Sequence, residues 1–289
     1  MDEIKIGVIG GTCLGKIEGL RNIKSVKVAT PFGSPSDEYT IGELAGKKIA
    51  FLSRHGKGHQ IPPAEINFRA NIYGFKKLGV ERLISVSAVG SMKEKIEIGE
   101  VVLVDQFFDQ TKQRASSFFG NGLVGHISFA NPVCPVVNNV LYEAGKSVGC
   151  KVRKGGVYLC IEGPQFSTRG ESNIYRQWGV DVVGMTNIPE AKLAREAEIC
   201  YATLALVTDY DCWHKAEKAV TVELVMQRLK NLEKKANLII KKGIPLIPEK
   251  RECECSRALE NAIITAPEFI SPRKRKDLEI IIGKYLKTR

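Results

Sequence analysis

The sequence predicts an α/β protein, a single domain in which a mixed, mostly parallel central sheet is covered by helices. Short apolar runs typical of buried strands alternate with longer stretches of helical periodicity, the pattern of a sheet covered on both faces. The chain has 289 residues, 44% of them hydrophobic, so it is long enough to bury a full core.

A series of apolar runs predicts the strands, and several of these runs end at a glycine or a polar turn. The run over 204–207, Leu-Ala-Leu-Val, is apolar at every position, which favours a central strand buried on both faces. The predicted strands are residues 5–9, 48–53, 82–89, 101–108, 155–161, 181–185 and 204–207.

Helical spacing of apolar residues and start signals predict the helices. Proline is favoured in the first turn of a helix, so Pro189 and Pro272 mark helix starts, and Ser271 supplies an N-cap for the latter. The predicted helices cover residues 64–78, 189–201 and 221–242, with a last helix that begins at Ser271-Pro272.

The C-terminal part of the chain differs in composition from the rest. Pro245, Pro248 and a run of charges predict that the packed domain, residues 1–250, ends near this point. Residues 251–289 are then expected to form a basic appendage that is helical and packs on the core or on a partner subunit. The basic run 273–276 has no interleaved aromatic residues, so a solvated tail is favoured over a nucleic-acid site.

Other patterns limit the location and class of the protein. No apolar run approaches the roughly 20 residues of a membrane helix, so no membrane partner is expected. The N-terminus leads directly into the first predicted strand without a secretory signal, which predicts a cytoplasmic protein. The formal net charge of +11 would help to attract anionic substrates such as phosphate.

The eight cysteines have no spacing typical of a metal site. Only Cys253 and Cys255 are close in sequence, and no histidine lies near them, so no metal is expected and buried thiols are the simplest interpretation. A second hypothesis is a disulfide between Cys253 and Cys255 in a thermostable oligomer. The remaining cysteines are Cys13, Cys134, Cys150, Cys160, Cys200 and Cys212.

Two carboxylates, Asp209 and Asp211, follow the apolar run 204–207. Open α/β sheets bind their ligands at the carboxyl ends of strands, and alternate residues of an extended chain point the same way. Both acids are therefore candidates for one pocket, where they would bind and protonate a base. The alternative is a pair of solvated acids in a turn.

Polar clusters at other strand ends predict a site for an anion. They are Gly10-Gly11-Thr12, Arg54-His55-Gly56, the stretch from Ser87 to Ser91, and Met185-Thr186. Arginine, histidine, hydroxyls and backbone N–H groups together suit phosphate. The sequence lacks a nucleophile elbow and a carboxylate-rich metal loop, so these parts fit a reaction in which phosphate itself attacks.

Six ordered motifs resemble the trimeric purine nucleoside phosphorylase family, and within it the 5'-methylthioadenosine phosphorylases. The resemblance runs from about residue 4 to about residue 245, and the last forty or so residues match poorly. The motifs are Gly10-Gly11-Thr12, the stretch from Thr30 to Asp37, Arg54-His55-Gly56 with His59, the stretch from Tyr158 to Arg169, the stretch from Gly184 to Glu190, and the stretch from Thr208 to Trp213.

The resemblance implies the nucleoside phosphorylase fold, a homotrimer or homohexamer, and no cofactor beyond inorganic phosphate as co-substrate. It places His126 in a stretch that reaches the neighbouring subunit's site. Phe166 and Met185 would line the base and ribose, and Asp209 and Asp211 would act in catalysis and bind the base. Phosphate would be held by Thr12, Arg54, His55, Ser87, the backbone at Ala88, and Thr186.

The expected reaction is phosphorolysis of S-methyl-5'-thioadenosine to adenine and 5-methylthioribose 1-phosphate. Relatives that act on 6-oxopurines usually carry asparagine at the position of Asp209, whereas a carboxylate accepts well from a 6-amino group. Ser167 and Val222 are the predicted specificity positions. An apolar Val222 suits a methylthio group, although a core position in its helix would explain it equally well.

Two other functions stay open at this point. The nearer one is a broader purine nucleoside phosphorylase that accepts adenosine, inosine or guanosine. The other is a non-catalytic protein that binds nucleosides, or nucleic acid through its basic tail. Two departures from the motifs bear on how strictly the protein would select the base and the 5' group of its substrate. Gly184 stands where close relatives often have asparagine, and Asn187 stands where they often have threonine.

Overall fold

A mixed sheet with helices on both faces forms the described part of the chain. The computed structural model describes residues 4–11, 17–214 and 220–286. Parallel pairs outnumber antiparallel pairs within the sheet. The predicted fold class, a single α/β domain with a mostly parallel sheet, is thus confirmed. Among the described residues, no helix combines the length and apolar character needed to cross a membrane.

Strand β5 is the centre of the sheet. It pairs in parallel with β1 over its first half and with β11 along most of its length, and its end pairs antiparallel with β10. The strands are β1 (Ile6–Gly10), β2 (Arg21–Val26), β3 (Tyr39–Leu44), β4 (Lys47–Ser53), β5 (Arg82–Ser91), β6 (Val101–Leu103), β7 (Gln106–Gln110), β8 (Val152–Lys154), β9 (Val157–Ile161), β10 (Val182–Gly184) and β11 (Cys200–Asp209).

Helices cover the sheet because its central strands are apolar on both sides. Successive residues of one strand, such as Leu204 and Ala205, belong to different hydrophobic clusters. Helices α1 and α4 contribute to one cluster, and α2 and α5 to the other. The helices are α1 (Phe68–Lys77), α2 (Pro135–Ser147), α3 (Arg169–Gln177), α4 (Asn187–Glu196), α5 (Val222–Gly243), α6 (Pro272–Asp277) and α7 (Glu279–Leu286).

The strand predicted for residues 101–108 is in fact two strands with different neighbours. Strand β6 pairs with β8 and β11, whereas β7 pairs with β9. The chain turns at Asp105, whose carboxylate accepts a hydrogen bond from the backbone N–H of Gly156 at 3.0 Å. The polar pair Asp105-Gln106, which interrupts the apolar residues at this point, was the available signal for the division.

Several elements that the sequence analysis omitted lie at the surface or are short. Strand β2 is mostly exposed, and α3 buries only Ser172 and Tyr175, so neither has the apolar periodicity that reveals an element. A signal for α3 does exist, because Thr168 and Glu171 form a capping box at its start.

The C-terminal residues contact the rest of the chain. Leu278, Ile281 and Ile282 are buried in the hydrophobic cluster that also contains residues of α1 and α4. Tyr285 donates a hydrogen bond to Glu198, and Lys284 forms a salt bridge of 2.5 Å with the same carboxylate. The domain boundary near residue 250 and contact of this segment with a partner subunit remain predictions.

We expect Gly74→Ala to destabilise the fold, because a Cβ at Gly74 would lie 2.1 Å from the Tyr39 hydroxyl oxygen. Tyr39 is buried and donates to the Asn71 carbonyl at 2.7 Å, so its ring cannot easily move. Urea unfolding should show a loss of about 1–3 kcal/mol. Gly170→Ala is the control, since its Cβ would meet nothing closer than 3.9 Å. Equal stability of the two variants would contradict this packing.

Candidate active site

A cavity of about 260 Å³ lies where the ends of several central strands meet. Within the described ranges, every residue predicted for the site lines it. Thr12 lies outside those ranges, although its neighbour Gly11 lines the cavity. The predicted residues that line the cavity are Arg54, His55, Ser87, Ala88, Phe166, Ser167, Met185, Thr186, Asp209, Asp211 and Val222.

Strand β10 brings Thr186 into the cavity from an unexpected direction. The sequence analysis placed all of the clusters at one edge of carboxyl ends, but β10 runs antiparallel to β5, with Val183 opposite Gly90. The chain therefore returns along β5, and the Thr186 hydroxyl lies 3.1 Å from that of Ser87. The Ser87 hydroxyl is also 3.0 Å from that of Tyr158, a residue the sequence analysis quoted only as part of a motif.

Arg54 follows β4 and is almost completely buried, with an exposed fraction of 1%. Its guanidinium forms a two-point ion pair with Glu190, through Nε at 2.8 Å and Nη2 at 3.1 Å. It also donates to the Val86 carbonyl and the Ser85 hydroxyl. Glu190, in turn, accepts from the Tyr201 hydroxyl at 2.9 Å. The ion pair thus fixes the orientation of the arginine at the cavity wall.

Glu190 was missed as a functional candidate, since it was quoted only at a helix start and as the last residue of the motif from Gly184 to Glu190. Its side chain is fully buried, and a buried carboxylate needs a cation or several donors. Helix α4 also contains Lys192, Arg195 and Glu196, so its sequence alone does not single out Glu190.

His55 is held as a neutral ring. The Ile61 carbonyl can only accept a hydrogen bond, so Nδ1 must donate to it at 2.8 Å, and Nε2 is left with a lone pair. Burial and the neighbouring Arg54 charge lower the pKa of His55 to about 4. His59 stacks on the ring with 4.3 Å between centroids. A neutral imidazole can accept a hydrogen bond from a protonated phosphate oxygen.

Asp209 and Asp211 both line the cavity, but not through strand alternation. The register between β11 and β5 shifts between Val207 and Asp209, so Thr208 is the extra residue of a bulge. Asp211 then has a left-handed backbone, with φ of 50°. Its backbone N–H donates to Asp209 Oδ1 at 2.8 Å. The bulge and the turn, not extended geometry, place both carboxyls in one pocket.

The surroundings of Asp209 favour its protonated form. Burial raises the pKa of Asp209, opposed by hydrogen bonds from Thr208 and the Asp211 backbone. Burial also raises the pKa of Asp211, and the Asp209 charge acts in the same direction. Gly90 is required beside them, because a Cβ there would lie 2.7 Å from Asp209 Oδ1.

Three further side chains stabilise the bulge and the turn that carry Asp209 and Asp211. The indole N–H of Trp213 donates to the Ser91 carbonyl at 2.7 Å. The guanidinium of Arg176 lies 3.7 Å above the Trp213 ring. Arg228 of α5 donates to the Thr208 carbonyl at 2.9 Å, so α5 is tied to the bulge.

Arg114, whose side chain is buried, is a further arginine near the site that sequence reasoning did not identify. It donates to the carbonyls of Met185 and Ile188 at 2.6 and 2.8 Å, and to that of Glu162 at 2.6 Å. These contacts join the segment that carries Met185 to the loop that precedes Phe166. Arg114 lies in a stretch without regular secondary structure, so no periodicity pointed to it.

The remaining wall of the cavity is an apolar face of α5. Val225, Met226 and Leu229 line it together with Val222. Val222 itself is 68% exposed, so it is not a core residue of the helix within this chain. One end of the cavity is thus polar and the other largely apolar.

Comparison with known proteins identifies the family. Residues 5–244 match the model of the phosphorylase superfamily. The chain belongs to this superfamily. It is 54% identical over 287 residues to the S-methyl-5'-thioadenosine phosphorylase of Geobacter sulfurreducens, with 99% of this chain and all of that protein covered. The Koribacter versatilis S-methyl-5'-thioadenosine phosphorylase is 53% identical over 98% of this chain and 97% of its own length.

Solved phosphorylase structures also resemble the chain. A methylthioadenosine phosphorylase from an antarctic soil metagenomic library superposes with a TM-score of 0.91 at 46% identity, covering 97% of this chain and 99% of that one. The Schistosoma mansoni methylthioadenosine phosphorylase in complex with adenine gives 0.84 at 33% identity, over 89% and 96%. The predicted resemblance is confirmed, and the bacterial relatives also extend it through the C-terminal residues that had matched poorly.

Two departures from the expected phosphorylase motifs have a structural reason in this chain. A Cβ at Gly184 would lie 2.0 Å from the Tyr158 hydroxyl oxygen, so the buried Tyr158 requires glycine there. The Asn187 side-chain amide donates to the Tyr201 hydroxyl at 2.6 Å, and Tyr201 donates to Glu190. Both residues therefore position groups that surround Arg54 and Ser87.

We expect His55 to make stability depend on pH. The unfolded chain binds a proton at His55 near pH 6.5, whereas the folded chain does so only near pH 4. Since the unfolded state then holds more protons in this window, stability is greatest above it and falls as the pH decreases. Between pH 7 and pH 4, the loss in free energy of unfolding should be about 3 kcal/mol larger for wild type than for His55→Gln.

Denaturant unfolding at several pH values measures this difference. His126→Gln is a suitable control, because His126 does not line the cavity. The same pH dependence for wild type and His55→Gln would contradict the neutral, desolvated state of this ring.

Proposed function

We propose that this chain catalyses phosphorolysis of S-methyl-5'-thioadenosine, giving adenine and 5-methylthioribose 1-phosphate. The observation that carries the proposal is one cavity lined by a desolvated acid, by a cluster of hydroxyl, imidazole and guanidinium groups, and by an apolar face of α5. Relatives of about half identity over nearly the whole chain carry the same activity in their names, which favours it over the broader purine nucleoside phosphorylase.

Phosphate would bind at the polar end. Ser87 and Thr186 offer two hydroxyls 3.1 Å apart, and the free lone pair of neutral His55 can accept a hydrogen bond from the P–OH group of monohydrogen phosphate. Arg54 supplies positive charge although most of its N–H groups already bind protein acceptors. The backbone at Ala88 and the hydroxyl of Thr12 complete the proposed set.

The base would bind at Asp209, with Asp211 as its support. A phosphate oxygen attacks C1' as the C1'–N9 bond breaks, and the bonding electron pair leaves with the purine. Protonated Asp209 donates its proton to N7, so adenine departs as a neutral molecule. The proton that phosphate loses on forming the ester can restore Asp209 by way of solvent. Burial raises the pKa of Asp209, which favours the protonated form that this step requires.

The apolar face of α5 suits a methylthio group at the 5' position. Val222, Val225 and Met226 offer no hydrogen-bond partner to a 5'-hydroxyl, whereas a thioether loses little on leaving water. Phe166 and Met185 would pack on the base and sugar, and Ser167 would contribute to specificity as proposed from the sequence.

The assembly is part of the proposal. We propose a homotrimer or homohexamer in which the stretch around His126 reaches the neighbouring subunit's site. Phe166, Ile174 and Trp178 are large apolar side chains with exposed fractions of 42–51%, which a subunit contact would cover. The proposed partners are therefore the nucleoside, phosphate and further copies of the chain.

Steady-state assays with a pure preparation test the reaction, without any added cofactor. Adenine should be released from S-methyl-5'-thioadenosine only when phosphate is present, and faster than hypoxanthine is released from inosine at equal concentration. Faster turnover of inosine would overturn the choice of base. A complete lack of turnover would favour a non-catalytic binding protein.

We expect Asp209→Asn to lower kcat/KM for S-methyl-5'-thioadenosine by about a hundredfold, because the proton donor to N7 is lost. The amide can donate to a 6-oxo group, so the ratio of rates should shift towards inosine. The KM for phosphate should stay within about twofold, because Asp209 is proposed to contact the base alone. Asp105→Asn, an exposed acid outside the cavity, is the control. An unchanged substrate ratio in Asp209→Asn would refute this role.

A further inference from the structure

Four cysteines from distant parts of the chain form one cluster outside the candidate active site. Their sulfur atoms all lie within 4.8 Å of one another, and the Cys200 and Cys253 sulfurs are 3.3 Å apart. Cys134, Cys200 and Cys255 are buried, whereas Cys253 is partly exposed. All four are free thiols, as are the other described cysteines.

The fold holds these residues at one place through backbone contacts. Cys200 is the first residue of β11, and Cys134 directly precedes α2. The backbone N–H of Cys134 donates to the Tyr201 carbonyl at 2.8 Å, which ties the start of α2 to the start of β11. Cys255 lies in a short 3-10 helix, Glu254–Arg257, and Cys253 occupies its N-cap.

The chain before Cys253 is anchored to the sheet by main-chain acceptors. Arg82 of β5 donates to the carbonyls of Pro248 and Glu249 at 2.7 and 2.6 Å. Arg251 donates to the Glu198 carbonyl at 2.6 Å, just before β11. Cys253 and Cys255 therefore reach the amino-terminal end of β11 on a fixed path.

The size of the cluster fits a single metal ion. A tetrahedral ion with metal–sulfur bonds of about 2.3 Å holds its sulfurs about 3.8 Å apart. The four sulfurs reach that spacing through small side-chain movements from their present separations. A cluster of several irons would hold its cysteines farther apart, because sulfides lie between the metal atoms. Four thiolates in a tetrahedron are the ligand set typical of structural zinc.

We propose that Cys134, Cys200, Cys253 and Cys255 bind one Zn²⁺ ion as a structural site. The partly exposed Cys253 gives the ion a path of entry. The site joins the C-terminal residues from 253 onward to the start of β11.

The local electrostatics suit thiolates. Cys134 lies at the N-terminus of α2, where the helix dipole favours negative charge. A metal ion that binds here displaces the protons of the thiols that it coordinates.

Metal analysis of the protein as isolated tests the proposal. Elemental analysis should find about one zinc ion per chain. A mercurial reagent should release it as about four thiols react. Cobalt exchanged into the site should give the thiolate charge-transfer and intense d–d absorption of a tetrahedral site. After zinc removal, turnover at low temperature should persist, since the cluster does not line the cavity, while heat inactivation becomes faster.

Serine variants locate the ligands. Cys253→Ser and Cys255→Ser should each retain less than about a tenth of the zinc after dialysis against a chelator. Cys150→Ser, which changes a partly exposed cysteine outside the cluster, should retain all of it. If a variant is insoluble, the mercurial titration of wild type still decides the question.

Two results would overturn the site. One is a reduced wild-type protein that binds neither zinc nor cobalt. The other is a freshly isolated protein whose intact mass, after alkylation, shows these four cysteines paired as disulfides, as in the hypothesis raised for Cys253 and Cys255.

Discussion

The position of the candidate active site depends on the buried ion pair between Arg54 and Glu190. Each side chain is at most 1% exposed, and a charge buried to this degree must be neutralised by a partner close to it. The pair joins the end of β4 to α4. Its hydrogen bonds to Ser85 of β5 and Tyr201 of β11 connect it to those two strands as well. None of these elements can shift without leaving a charge unpaired. The residues next to the pair, His55 among them, are therefore held in fixed positions at the cavity wall.

A second constraint is that strands of opposite direction meet at β5. Strand β11 runs parallel to it and supplies the acids, whereas β10 runs antiparallel and supplies Thr186. Parallel strands alone would have placed every polar cluster at one level of the sheet. Because β10 runs antiparallel to β5, the Thr186 hydroxyl lies at the level of Ser87. The bulge at Thr208 turns the Asp209 carboxyl into the pocket. Phosphate and base can thus occupy different walls of one cavity.

Strands formed by continuous apolar runs could be predicted from the sequence. The partners, direction and register of the strands could not, because they depend on long-range pairing. Strand β11 and the residues beyond it could be predicted, because burial on both faces demands apolar residues throughout. The division at Asp105 was missed although Asp105-Gln106 interrupts the apolar residues there, because the sequence does not record that β6 and β7 pair with different neighbours. Arg114 was missed because it lies in an irregular loop, where neither a periodic apolar pattern nor a motif marks a buried arginine. The antiparallel direction of β10 and the bulge at Thr208 depend on register, which a single sequence does not record.

The cysteine cluster illustrates the same limit and shows how the two ends of β11 differ. Zinc motifs are recognised by short spacings, but here only Cys253 and Cys255 are close in sequence, and the fold supplies Cys134 and Cys200. Strand β11 begins at Cys200 and ends at Asp209, so at about 3.3 Å per residue its ends are about 30 Å apart. Thiols that could react with a metal are thereby kept away from the substrate pocket. The strand is buried throughout and packed between two hydrophobic clusters. A constraint on Cys200, its first residue, therefore also limits the movement of Asp209, its last residue.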